Sequence, residues 1–231
     1  YYGLVSFLDE NIGKVMSALE GSGLGDDTRI IYTSDHGDNL GSRGLWGKST
    51  MFEEAVGVPL IISGAGIPAG VEKKTPVTHI DVYPTILEAV GIAPTEEEKT
   101  LSGESLFTLA NQPDGDRLAF AEYHGMGSAT GAFMIRDDRY KYVHYVDCSP
   151  QLFDLLNDPE ELVNLAEMPG NEALVAEYYA KMETICVPKD VDARAKKRQA
   201  ELLKLNGGRE AVVARGDLGY SPPPGAEISF S

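Results

Sequence analysis

Cysteine is nearly absent. Only Cys148 and Cys186 occur in 231 residues, too few for a disulfide framework. A reducing compartment, the cytoplasm, is therefore the expectation, with periplasm or secretion as alternatives. Positive charge is short as well: 20 Lys and Arg stand against 36 Asp and Glu, a net charge of −16. Such a chain has no general affinity for nucleic acid or an anionic membrane. Any oxyanion site in it must gather positive charge locally. No apolar run approaches transmembrane length, no signal peptide is visible, and no internal repeat is found. An initial Met is also missing, since the chain opens Tyr1-Tyr2, and an N-terminal portion is expected to precede it.

What is present is the composition of a globular protein: 42% hydrophobic residues, with 24% charged residues to solvate the surface. Leu4, Leu8, Ile12, Val15 and Leu19 recur at helical spacing and predict an amphipathic helix from Tyr2 to Glu20. Gly21 and Gly23 end it. β-Prone residues 29–34 and 58–63 predict two buried strands. Residues 50–56 predict one or two helical turns. A helix runs from an N-capping Asp81 to Ala89, with Gly91 just past its end. Aromatic and β-prone segments follow at 119–123, 132–136, 140–146 and 151–155, with Asp137-Asp138 as a hairpin turn. Helices are expected over 171–185, 190–205 (densely charged, exposed) and 209–215, and a polyproline-like tail at 220–225.

The stretch that organises the chain is Ile30-Ile31-Tyr32-Thr33-Ser34-Asp35-His36-Gly37-Asp38, followed by Gly44-Leu45-Trp46-Gly47-Lys48. A buried strand gives way abruptly to Asp, His, Gly, Asp. Ligands in open α/β sheets sit just beyond such strand ends. Gly37 permits the turn, having no Cβ penalty at positive φ. A carboxylate beside an imidazole is half of a divalent-metal site, although the same pair also suits an Asx turn with a surface histidine. Lys48, thirteen residues after Asp35 in a Gly-rich loop, can reach an anion on that metal; otherwise it is a solvated lysine. Metal plus lysine suits sulfate or phosphate. Trp46 either packs the loop or offers an indole face to a substrate, for which a quaternary ammonium is suited. Asp38 is a turn residue or orients His36 or Lys48. His79 reads as a structural hydrogen-bonding residue, and His124 and His144 as structural or rim residues. Segment 123–127 is a candidate pocket border.

Thr33-Ser34-Asp35-His36-Gly37-Asp38, Leu45-Trp46-Gly47-Lys48-Ser49-Thr50-Met51-Phe52-Glu53-Glu54 and Val58-Pro59-Leu60-Ile61-Ile62 together resemble the second signature region of the sulfatases, within the alkaline phosphatase superfamily. The resemblance continues through residues 75–87, Arg139-Tyr140-Lys141-Tyr142 and Gln151-Leu152-Phe153-Asp154-Leu155. It implies an α/β fold: the C-terminal part of an alkaline-phosphatase-like sheet sandwiched by helices (1–92), then a smaller antiparallel α+β subdomain (93–188), then a charged helix and Pro-rich tail (189–231) as a possible oligomerisation arm. It implies that Asp35 and His36 ligate one divalent cation, calcium first, with manganese or zinc favoured by the imidazole. The Asp-His form is similar to that of choline sulfatases and phosphonate monoester hydrolases. Lys48 then holds a sulfate oxygen and acts catalytically, and Trp46 is a substrate-binding candidate.

The family's nucleophile, a formylglycine made within Cys/Ser-x-Pro-x-Arg, has no counterpart here. Cys148-Ser149-Pro150-Gln151-Leu152 and Cys186-Val187-Pro188-Lys189-Asp190 lack the Arg. The formylglycine is expected in the missing N-terminal portion, which is thereby a partner of this chain. The expected activity of the parent protein is metal-dependent hydrolysis of a small sulfate ester, this chain alone being inactive. The alternatives are a phosphonate or phosphate diester hydrolase and a non-catalytic scaffold fragment. A homo-oligomer is expected, with no nucleic acid or membrane partner.

Overall fold

The structure is a computed structural model and describes residues 1–125 and 128–216. The tail expected at 220–225 and two residues of the 123–127 segment lie outside them. Helix α1 (Tyr2–Gly21) leads through a short turn into β1 (Arg29–Thr33). The candidate loop and a four-residue helix α2 (Glu53–Val56) follow, then β2 (Leu60–Gly64), α3 (Val82–Ala89) and α4 (Leu106–Asn111). Strands β3 (Ala119–Tyr123), β4 (Ala132–Arg136), β5 (Tyr140–Tyr145) and β6 (Gln151–Asp154) come next. Helices α5 (Glu172–Glu183), α6 (Pro188–Leu205) and α7 (Gly208–Arg215) complete the order. Among the described residues no helix is long and apolar enough to cross a membrane.

The first two strands form an antiparallel ribbon, with Ile31 opposite Ile62 and Thr33 opposite Leu60. The helix-then-strand rhythm of the sequence does not reveal this direction, because pairing depends on a partner some thirty residues away. The predicted apolar stripe of α1 is only partly covered among the described residues: Leu4 is 72% exposed and Val15 68%, while Ile12 and Leu19 are half-buried. A ribbon of two five-residue strands is too narrow to bury a helix of twenty residues.

The core lies in the second sheet, a meander ordered β3-β4-β5-β6. Its central strands are covered on both faces. Phe133, Ile135, Tyr142 and Leu152 face Tyr178 and Met182 of α5. Ala132, Met134 and Val143 face the other way, onto Met51. Alternation along a strand sends successive side chains to opposite faces. One sheet therefore binds α5 on one side and the end of the candidate loop on the other.

Helix α4 was not predicted. Six residues are too few for a visible periodicity, yet Ser105 caps it by accepting from the Phe107 N–H, and Leu106, Phe107 and Leu109 are buried. Asp81 sits at the start of α3 as predicted but does not cap it with its side chain. Its fully buried carboxylate instead takes Arg117 Nη1 at 2.7 Å and Nη2 at 2.5 Å, with the backbone N–H groups of Thr78 and Glu104. The bond from the Thr78 N–H belongs to a capping box on the 3-10 turn His79–Asp81 that leads into α3.

Candidate active site

Beyond Thr33 the chain leaves β1 and turns, and the turn is built from backbone contacts. The Gly37 N–H donates to the Ala55 carbonyl at 2.8 Å. Gly37 is not among the glycines with positive φ. Its lack of a side chain matters for a different reason: a Cβ there would collide with the Glu54 carbonyl. The loop then folds around Asn39, which is fully buried. Asn39 donates to the Gly47 carbonyl from its backbone at 2.8 Å and from Nδ2 at 2.6 Å, and accepts from Thr50 Oγ1 at 3.1 Å. Asp38 Oδ1 accepts from the backbone N–H of Leu40 and of Gly47. Asp38 thus makes the turn and, through Gly47, also fixes the residue before Lys48.

This scaffold brings Asp35, His36 and Lys48 to one place. His36 Nδ1 lies 2.8 Å from the Gly37 carbonyl. A carbonyl only accepts, so Nδ1 carries the proton and Nε2 keeps its lone pair. Lys48 Nζ donates to that lone pair at 2.6 Å, and Asp35 Oδ2 stands 3.3 Å from the same nitrogen. Asp35 Oδ1 accepts from the His36 N–H. For Asp35, desolvation works upward, but the His36 N–H, its own backbone N–H and the Lys48 ammonium outweigh it and hold the carboxyl below its ordinary value. The three side chains form an exposed cluster about His36 Nε2, with the Lys48 ammonium donating to it and the Asp35 carboxylate beside it.

The same two acceptors fit a divalent ion as a pair of ligands, since metal–nitrogen and metal–oxygen bonds of about 2.0–2.6 Å span a separation of this size. Among the described residues no group of three His, Cys, Asp or Glu side chains gathers to hold a metal. Asp35 and His36 would thus supply part of a coordination shell.

Trp46 is 77% exposed, with its indole over the Gly41 backbone. His79 Nε2 lies 3.4 Å from Thr33 Oγ1, the structural bond expected of it. His124 packs edge-on to Phe133, and His144 lies against Tyr142 and Tyr179, both within the sheet region. Tyr123 donates to Ser49 Oγ at 2.9 Å and so ties the end of β3 to the residue after Lys48. A cavity of about 270 Å³ opens there, lined among others by Ser49, Tyr123, Thr130, Tyr145 and Cys148.

Sequence reasoning missed a set of charges beneath the loop. Lys141, fully buried on β5, donates to the Met51 carbonyl at 2.9 Å and to Glu53 Oε1 at 2.9 Å. It also pairs with buried Glu161 at 2.5 Å. Burial pushes the Glu161 carboxyl up, and Lys141 and the Glu53 N–H pull it back only in part. Arg43 bonds Glu54 and lies over the Phe52 ring. In the sequence Lys141 stands within the Arg139-Tyr140-Lys141-Tyr142 segment, but nothing in those letters names Met51, Glu53 or Glu161 as its partners.

The sulfatase family model matches residues 1–92. Choline-sulfatase of Rhizobium meliloti is 40% identical over 169 residues, 73% of this chain and 33% of that protein. Arylsulfatase K of Danio rerio is 38% identical over 175 residues, 72% of this chain and 33% of its own length. Among solved structures, the phosphonate monoester hydrolase of Agrobacterium radiobacter superposes with a TM-score of 0.67 at 31% identity, covering 80% of this chain and 40% of that one. The chain spans about a third of the length of these curated relatives. Mixed helix and antiparallel sheet, ending in helices, agree with the fold of the structural neighbours. By residues 1–92 and by the relatives that extend beyond them, the chain belongs to the sulfatase family.

Proposed function

We propose that the chain is part of a sulfuric ester hydrolase, in which Asp35 and His36 hold one divalent cation and Lys48 holds an oxygen of the sulfate. The observation that carries this is the convergence of Asp35 Oδ2 and Lys48 Nζ on His36 Nε2 at 3.3 and 2.6 Å. Calcium is the first choice of cation, with manganese or zinc as alternatives because of the imidazole. When bound, the cation supplies positive charge against the oxygens of the transferring group.

The rest falls to the chain's own side chains. The Gly37 carbonyl keeps the His36 proton on Nδ1, so Nε2 remains a ligand. Lys48, free to swing from Nε2 once a cation is there, presents three N–H donors to a sulfate oxygen. Held there, it offsets the charge that builds as the ester bond breaks. The alcohol half of the ester lies in the cavity that begins at Ser49. No Cys/Ser-x-Pro-x-Arg motif with its nucleophile occurs among the 231 residues, so turnover draws that group from outside them.

A second reading, hydrolysis of a phosphonate or phosphate diester, is favoured by the likeness to a phosphonate monoester hydrolase. Titrating the chain with 4-nitrophenyl sulfate and with phenyl phenylphosphonate, in the presence of calcium, separates the two. The His36 ring signals, present in both proteins, report binding, and in wild type the ε-methylene signals of Lys48 report it as well. The sulfate ester is expected to shift them, and Lys48→Ala is expected to weaken its binding at least tenfold. Binding of the phosphonate alone would transfer the assignment to the second reading. Equal binding by wild type and Lys48→Ala would remove both.

A further inference from the structure

Lys48 lies in a short span held at both ends. On one side Gly47 is fastened within the loop, through Asn39 to its carbonyl and Asp38 to its N–H. On the other side Met51 is fastened from outside the loop, by the buried ammonium of Lys141 on β5. Two residues, Ser49 and Thr50, separate Lys48 from this second post.

The post is built as a closed electrostatic unit. Lys141 Nζ has three partners: the Met51 carbonyl, Glu53 Oε1 and Glu161 Oε1. Glu161 reaches them from a left-handed backbone position, φ 53°, and its other oxygen accepts the Glu53 N–H at 2.7 Å. Arg136 pairs with Glu53 at 3.0 Å, and Arg43 with Glu54 at 2.8 Å. Three cations and three carboxylates thus balance where the second sheet meets the loop. A buried ion pair is a poor source of net stability, because desolvation consumes most of the attraction. An apolar pair would close the same interface as well. What an apolar pair would not do is hold the Met51 carbonyl at a set point.

We infer that Lys141 is a positioning residue for Lys48: its hydrogen bond to the Met51 carbonyl sets where the Lys48 ammonium stands relative to His36. The inference rests on the reading of Lys48 as the group that holds sulfate. The sheet carrying Lys141 is thereby part of the site without touching the ligand.

Two charge-neutral double variants test this in the full 231-residue chain. Lys141→Met with Glu161→Gln removes both buried charges and the donor to Met51. Lys141→Gln with Glu161→Gln removes the charges but keeps an N–H donor. Neither alters the net local charge, and both carry the same charge pattern, so a difference between them in Lys48 placement is geometric. The readouts are the nuclear Overhauser contact between the Lys48 ε-methylene and the His36 ring, and the affinity for inorganic sulfate with calcium present. Amide signals of β4 and β5 report the fold.

The Met-containing variant is expected to keep the β4 and β5 signals, lose the Lys48–His36 contact and bind sulfate at least fivefold more weakly. The Gln-containing variant is expected to recover most of both. Equal contact and affinity in the two variants and wild type would overturn the inference. So would failure of both variants to fold, since the pair would then serve the fold alone. A wild-type chain that binds no sulfate at Lys48 would instead count against the proposed function, which keeps the two failures apart.

Discussion

His36 shows how one local bond decides chemistry at a neighbouring atom. The Gly37 carbonyl fixes the tautomer, and the free nitrogen then meets both Asp35 and Lys48. These three residues were legible in the sequence because adjacency and a short loop force them together. Asn39, Lys141 and Glu161 were not, since each acts through a contact distant in sequence or through a backbone atom. Asp81 was legible as a helix-start residue, but its partner Arg117 was not. Desolvation would raise the Asp81 carboxyl, yet Arg117 and two backbone N–H groups more than reverse this and hold it below its ordinary value. For a depressed carboxyl, the stabilisation is complete above the unfolded pKa of about 4 and is lost as pH falls through the lower folded value. Urea midpoints measured from pH 7 to pH 2 should therefore fall below pH 4 for wild type. Asp81→Asn should start lower at pH 7, by up to the about 3 kcal/mol that breaking a buried pair costs, and vary less across the acid range. Parallel curves for the two proteins would contradict the assignment.

At the scale of elements, the second sheet holds the energy and the loop holds the chemistry. Strands β3 and β4 fall on the predicted residues because runs such as Ala-Phe-Met-Ile are buried on both faces. The direction of the β1–β2 pair was hidden, because a strand's own letters do not name its neighbour. Phe133 on β4 is fully buried against α5. Phe133→Ala should cost about 3–5 kcal/mol of stability, from lost burial and the cavity left behind. Leu8→Ala on α1, where Leu8 is 51% exposed, should change stability by no more than about 0.5 kcal/mol. Chemical denaturation of the two variants checks the contrast. Equal losses would mean that α1 belongs to the same core.

At the scale of the molecule, a chain of net charge −16 places a lysine at an exposed cluster that contains only one carboxylate. Local geometry, not overall charge, must recruit an anion there, and a cation shared by Asp35 and His36 is the proposed means. Among the described residues no third His, Cys, Asp or Glu side chain joins Asp35 and His36, so the proposed coordination shell is partial and the affinity should be weak. Paramagnetic manganese suits such a case, because it broadens nearby nuclear signals even at low occupancy. Titrating trace Mn²⁺ into the isotopically labelled chain tests the central claim most directly. The His36 ring and the Lys48 ε-methylene should broaden first, and His36→Ala should abolish the early broadening at Lys48. Broadening that begins elsewhere on the acidic surface and reaches these two residues last would contradict the account.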